Sequence, residues 1–293
     1  MNNYSIIQEL GNQKQRKFSK VYHVRRNHDQ HEFVLKIVSK ESGNELQQSK
    51  IKQESQINIE GSNFQKNIDF WQDEKFIYLL KEYIPAVTLD TWWDIQKPKN
   101  QLDQLKILIT NFQPIFDNLL IHQIAHNDIK PSNILVREQN GKIHFVLIDF
   151  GLAFPFPAKN DDEVLFALGY SAPELILSKK AIVNHASDIF SLGILIYKLL
   201  SGKLPLSHPN PSIFTNLQIT HPLLNDGNIN KSIFSLIEKM CTKHSFRLPP
   251  NQLSNTEVEE CLQSARNKRF QSLNELAEEV MKLKAPKKWW NIG

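Results

Sequence analysis

His126-Asn127-Asp128-Ile129-Lys130-Pro131-Ser132-Asn133-Ile134-Leu135-Val136, a polar turn, and then Phe145-Val146-Leu147-Ile148-Asp149-Phe150-Gly151 form the stretch on which the rest of the sequence hangs. Asp128 and Asn133 are five apart, with Lys130 between them, and a short apolar run follows Asn133. After Gln139-Asn140-Gly141 a second apolar run ends abruptly at Asp149. Two short strands flanking such a turn make a hairpin, with Asn133 and Asp149 close together at its mouth. Two carboxylates, one amide and one lysine then converge on a single site. Carboxylate and amide oxygens suit Mg²⁺, a hard cation usually shared with substrate phosphates. The other aspartate, Asp128, is left to accept a proton from an attacking hydroxyl.

These residues resemble the catalytic loop and metal-binding motif of protein kinases, H-R-D-x-K-x-x-N followed by D-F-G. Without that resemblance they are a polar turn and a capped hairpin, since Asn and Asp are ordinary turn residues. The two motifs in order, at a spacing that makes one hairpin, weigh against the plainer account. The resemblance implies that Asp128 orients and deprotonates a substrate hydroxyl and that Lys130 steadies the transferring phosphoryl group. It also implies that Asn133 and Asp149 hold Mg²⁺, with ATP as the donor.

Upstream, residues 4–38 read as strands separated by polar turns, with Asn27-His28-Asp29 a hairpin turn. Lys36 stands inside the apolar run Phe33–Val38. A gatekeeper charge against aggregation is the plain explanation. In the kinase resemblance it is the lysine of V-A-I-K, which grips the α- and β-phosphates. Residues 45–60 suit a helix, with Ile51, Glu54 and Ile57 spaced at three. The family's glutamate partner for that lysine is assigned to Glu54, with Glu45 and Glu60 as alternatives. A kinase phosphate loop reads G-x-G-x-x-G, because glycines let backbone amides approach the phosphates. Here only Gly11 remains, and Lys14, Arg16, Lys17 and Lys20 occupy the region, so the loop is degenerate. Phe76–Ile84 resembles the last small-lobe strand and the hinge, where Glu82, Tyr83 and Ile84 offer backbone groups to adenine. Lys81 falls where an apolar residue is commoner; it either narrows the back of the pocket or pairs with an acidic neighbour.

From Pro85 onward the sequence is helical in character, with apolar stripes at 102–124, 187–200, 232–241 and 256–283. Ser171-Ala172-Pro173-Glu174 resembles the family's A-P-E, which implies an arginine partner for Glu174. Arg269 is the first choice and Arg247 the alternative. Ser187–Gly193 resembles D-x-W/F-S-x-G, whose aspartate, here Asp188, holds the catalytic loop's backbone; an N-terminal helix cap is the plain alternative. The arginine of H-R-D is replaced by Asn127, and no Ser, Thr or Tyr lies between Asp149 and Tyr170. Asp161-Asp162-Glu163 is an acidic turn or a phosphate mimic. The tail beyond Met281 combines lysines with Trp289-Trp290. That pattern fits a weak surface contact or aromatic rings packed on the protein.

The 293 residues carry 41% hydrophobic and 23% charged side chains and a formal charge of +4, ordinary for a globular protein and no argument for nucleic acid. Two cysteines suit a reducing compartment, residues 1–11 lack a signal peptide's pattern, and no apolar run spans a membrane. The expectation is an α+β, bilobal fold in one kinase domain over 1–293. Its small lobe covers about 1–82, the hinge about 82–86, the large lobe about 87–284, and a tail 285–293 follows. By resemblance it is a eukaryotic-type (Hanks-type) serine/threonine protein kinase, cytoplasmic, using ATP and Mg²⁺ on a protein substrate. Leu248-Pro249-Pro250 has a bacterial flavour. A choline-kinase-like small-molecule phosphotransferase, suggested by H-N-D, and a nucleotide-binding pseudokinase scaffold, suggested by the lost glycines, are the alternatives.

Overall fold

The computed structural model describes residues 3–11, 19–96, 100–158 and 165–283. Lys14, Arg16 and Lys17, the acidic turn Asp161–Glu163 and the tail with Trp289 and Trp290 lie outside the described residues. The chain forms two compact units, one of residues 1–89 and 132–154, the other of 90–131 and 155–293.

The first unit is mostly sheet. β1 (Tyr4–Glu9), β2 (Ser19–Arg26), β3 (Glu32–Ser39), β4 (Asn67–Gln72) and β5 (Phe76–Glu82) form one antiparallel sheet in the order β1-β2-β3-β5-β4. Alternation along the strands sorts the apolar residues onto two faces. Val24, Phe33, Leu35, Ile37, Tyr78 and Leu80 pack on one. Val38, Ile77 and Leu79 pack on the other, against Ile51 of helix α1 (Glu45–Gln56). The helix stops short of residue 60: the Asn67 amide bonds the carbonyls of Glu54 and Ile57 at 2.8 and 2.9 Å, and Ile57 is already extended.

β6 (Val87–Thr88), β8 (Ile134–Gln139) and β9 (Lys142–Leu147) form a second sheet in this unit, while β7 (Ile124–Ala125) belongs to the other. Asn140 and Gly141 both have positive φ, 53° and 70°, the two-residue turn whose twist suits a hairpin. The expected hairpin is therefore present, in register from Ile134↔Leu147 to Gln139↔Lys142.

The second unit is helical: α2 (Leu89–Gln96), α3 (Gln101–Ile121), α4 (Pro173–Ile176), α5 (His185–Ser201), α6 (Pro211–Thr220), α7 (Lys231–Met240), α8 (Asn255–Asn267) and α9 (Leu273–Lys282). Its core helix is α5, buried without a break from His185 to Tyr197 and ended by Gly202 at φ 81°. The stripe at 256–283 is two helices rather than one. Phe270 turns into the core between them, 1% exposed, and Ser272 caps the start of α9 through the Glu275 amide. Among the described residues no helix is long and apolar enough to cross a membrane. The expected α+β class, with a β-rich part carrying one helix and a helical part, is what the chain adopts.

Candidate active site

In the first unit the site begins with β3. Lys36 lies on the sheet face covered by α1, and Glu54 lies one helical turn from Ile51, facing it. The Lys36 ammonium donates to Glu54 Oε2 at 2.6 Å and to Asp149 Oδ1 at 3.2 Å. Glu45 bonds the Gly43 amide at the start of α1, and Glu60 stands 3.9 Å from Lys66; neither is the partner of Lys36. Burial works against the charge on Lys36, but Asp149 and Glu54 outweigh it and raise its pKa. Burial likewise opposes the Glu54 carboxylate, and Lys36 and Lys81 overcome it to keep that pKa low. Lys81, buried inside β5, donates to the second Glu54 oxygen, Oε1.

Asn133 and Asp149 flank the last paired residues of the hairpin. Ile148 donates to the Asn133 carbonyl at 3.0 Å, which places residues 133 and 149 at the open end of the hairpin. Asp149 has φ 64°, and its side chain stays 37% exposed, within reach of a ligand. A side-chain carbon on Gly151 would come within 3.3 Å of Asp149 Oδ1 and 3.5 Å of Lys50 Cβ, so the glycine permits close passage beside α1. Phe150 is buried against Phe64.

The remaining first-unit candidates are less committed. Gly11, at φ 85°, is exposed and follows the Leu10 amide bonded to Val21. The Glu82 amide donates to the Lys66 carbonyl, and the Glu82 carbonyl accepts from Gln65. Tyr83 stacks on His23 with ring centroids 3.7 Å apart, and Ile84 is 6% exposed.

The second unit holds the other motif residues. Lys130 donates to Asp128 Oδ2 at 2.8 Å. Asp188 holds their loop from below, accepting the His126 amide at 2.7 Å and the Asn127 amide at 2.8 Å. Burial pushes the Asp188 carboxyl up to about 7, against the pull of those two amides. Asn127 adopts φ 64° and turns its own amide inward to the Ala125 carbonyl. Glu174 and Arg269, both fully buried, form a two-pronged pair at 2.5 and 3.0 Å, and Ser187 adds a hydrogen bond to Glu174. Arg247 takes no part in that pair.

One residue escaped the sequence reading. Gln218 of α6, 2% exposed, accepts from the Gly169 amide at 2.7 Å and donates to the Ser171 carbonyl at 2.8 Å. It fixes the loop just before α4. A polar residue between Leu217 and Ile219 was the only available signal, and its loop partner is 47 residues away.

Comparison with known proteins places this arrangement. A probable serine/threonine-protein kinase of Dictyostelium discoideum is 32% identical over 176 residues, 59% of this chain and 37% of that protein. Aurora kinase of Saccharomyces cerevisiae is 31% identical over 193 residues, 64% and 51% of the two chains. Aurora kinase C of Mus musculus is 29% identical over 218 residues, 72% and 75%. The chain thus spans between about a third and a half of the first two relatives. The family described as protein kinase domain matches residues 4–279. The chain belongs to the protein kinase family.

Proposed function

We propose that this chain is a serine/threonine protein kinase, moving the γ-phosphoryl group of ATP onto a protein hydroxyl. The observation that carries the proposal is the Lys36 ammonium held between Glu54 and Asp149. A lysine kept charged and aimed toward the D-F-G aspartate is prepared to receive nucleotide phosphates. The relatives named as serine/threonine and Aurora kinases support the class.

Each residue then has a part to play. Lys36, oriented by Glu54, binds the phosphates. Glu82, Tyr83 and Ile84 border the base, and Gly11 opens the phosphate loop. Asn133 and Asp149 offer one amide and one carboxylate oxygen from adjacent positions, a hard donor set that fits Mg²⁺ shared with phosphate. Bound there, Mg²⁺ neutralises charge on the phosphoryl oxygens. Asp128 accepts the proton of the substrate hydroxyl, and Lys130, bonded to it, stands ready for the transferring group. Asp188 positions the loop that carries Asp128, while Glu174 with Arg269 anchors the segment that receives the peptide. Phosphoryl transfer needs mostly positioning and charge neutralisation, which these groups supply.

Purified protein mixed with labelled ATP, Mg²⁺ and either casein-like or metabolite acceptors tests the proposal. Label should appear on serine or threonine of the protein acceptor. Asp149→Asn should abolish Mg²⁺-dependent nucleotide binding, whereas Asp128→Asn should keep binding and lose turnover. Label on a metabolite alone points to a small-molecule kinase. Wild-type protein that binds no Mg-ATP in calorimetry is a scaffold.

A further inference from the structure

Lys81 follows the buried run Ile77–Leu80 of β5 and is itself buried. β3 and β5 are antiparallel neighbours, with Lys36 opposite Leu79 and Val34 opposite Lys81. Side-chain alternation puts residues 34, 36, 79 and 81 on one face, so the two lysines stand diagonally beside each other under α1. Glu54 comes down between them. One carboxylate oxygen takes Lys36 at 2.6 Å, and the other takes Lys81. Glu54 is 1% exposed and Lys81 3%, so neither shares its charge with water.

An aliphatic side chain would fill that place at less cost, because a buried ammonium is expensive unless paired. The pairing changes the local charge balance. Lys36 serves both Glu54 and Asp149, and without Lys81 the cluster would hold two carboxylates against one cation. With Lys81 the charges balance, and Glu54 keeps a cation of its own when Lys36 turns toward a phosphate. We propose that Lys81 is a positioning residue for phosphoryl transfer, holding the second oxygen of Glu54 so that Lys36 stays aimed at the nucleotide. The proposal rests on the role given above to Lys36. It places the support of Glu54 in the five-stranded sheet itself.

Calorimetry with Mg-ATP and steady-state kinetics on the full chain test this, using wild type, Lys36→Met, Lys81→Met, Glu54→Gln and Glu54→Gln with Lys81→Met. Lys36→Met should lose nucleotide binding. Lys81→Met should raise KM for ATP about tenfold and leave KM for the protein acceptor unchanged. A purely structural defect would lower the active fraction and move neither KM. In Glu54→Gln with Lys81→Met both charges of the pair are gone, so folding is spared if the single Lys81 variant proves unstable. In the Glu54→Gln background Lys81→Met should cost no further ATP affinity beyond about twofold, because its partner is already neutral. Wild-type KM for ATP in a folded Lys81→Met, or a full additive loss in the double variant, overturns the proposal while Lys36→Met remains defective. Lys36→Met that binds Mg-ATP like wild type instead overturns the role of Lys36, and the proposal with it.

Discussion

Replacing Arg269 by Met should cost the second unit about 4 kcal/mol. Glu174 and Arg269 are both 0% exposed, joined by two parallel hydrogen bonds. Removing one partner of such a pair leaves an uncompensated buried charge, a loss of about 3–5 kcal/mol. Arg269 also bonds the Thr242 carbonyl at 3.1 Å and lies over the Phe190 ring at 4.9 Å, so its loss is not only electrostatic. Ser187 remains on Glu174, and one neutral hydroxyl is a weak substitute for a guanidinium. At roughly 2–4 °C per kcal/mol for a unit of this size, the melting temperature should fall by about 10 °C. Glu174→Gln with Arg269→Met removes both charges and should recover about half of the loss.

Acid gives an independent reading of the same pair. Burial raises the Glu174 pKa, but the charge and hydrogen bonds of Arg269, with help from Ser187, win and set it below 4.5. A carboxylate depressed in the fold contributes stability that is present above its unfolded pKa. That stability is lost as pH falls through the lower, folded value. Wild type should therefore weaken below about pH 4.5 by a step missing from the double variant. Differential scanning calorimetry of the three proteins measures both effects. An Arg269→Met protein within about 1 kcal/mol of wild type would refute the reasoning, for the pair would then be contributing no more than a surface bridge.

Asp188→Asn leaves one oxygen to satisfy two backbone amides. It should destabilise by about 1–3 kcal/mol in thermal unfolding and lower kcat; unchanged kcat would show that Asp128 does not depend on this support. Gly193→Ala would place a carbon 2.6 Å from Cys241 Sγ and 2.9 Å from Met240 Cβ, where α5 passes α7. Overpacking of about 1–3 kcal/mol should appear in urea unfolding, and a wild-type midpoint would contradict the close approach. Protein purified from cells should keep its activity after phosphatase treatment. Loss of most activity, traced by mass spectrometry to a phosphate between residues 149 and 174, would refute independence from activation-segment phosphorylation.

Local chemistry made the centre of the chain legible. Asn-Gly between two apolar runs specifies a hairpin turn, so the relation of Asn133 to Asp149 followed from sequence. Glu54 could be ranked above Glu45 and Glu60 because it lies one turn from an apolar residue on the same helix face. What stayed hidden depends on register between distant segments. Whether Lys81 meets an acid or only narrows a pocket turns on the pairing of β5 with β3, which places it diagonal to Lys36. Gln218 likewise gains its partners only when α6 is brought beside residues 169–171. The break between α8 and α9 was invisible in the apolar stripe, because Phe270 continues the hydrophobic pattern while its backbone leaves the helix.

The residue that replaces the arginine of H-R-D shows how backbone and regulation meet. Position 127 requires φ 64°, a left-handed conformation that Asn enters more readily than other side chains with a Cβ. Asn127 is 1% exposed and spends its side-chain amide on Ala125, two residues back. Its main-chain amide is bound to Asp188. The side chain therefore stabilises the turn that presents Asp128 and carries no charge to offer a phosphate. The segment from Phe150 to Gly169 carries no hydroxyl to be phosphorylated. A receiver without charge and a segment without acceptors are consistent with each other. The loop before α4 is held instead by Gln218, through two neutral hydrogen bonds that form on folding and need no modification. Residues 169–171 are thus held by packing and neutral hydrogen bonds, and the prediction of activity without a phosphorylated segment rests on that support.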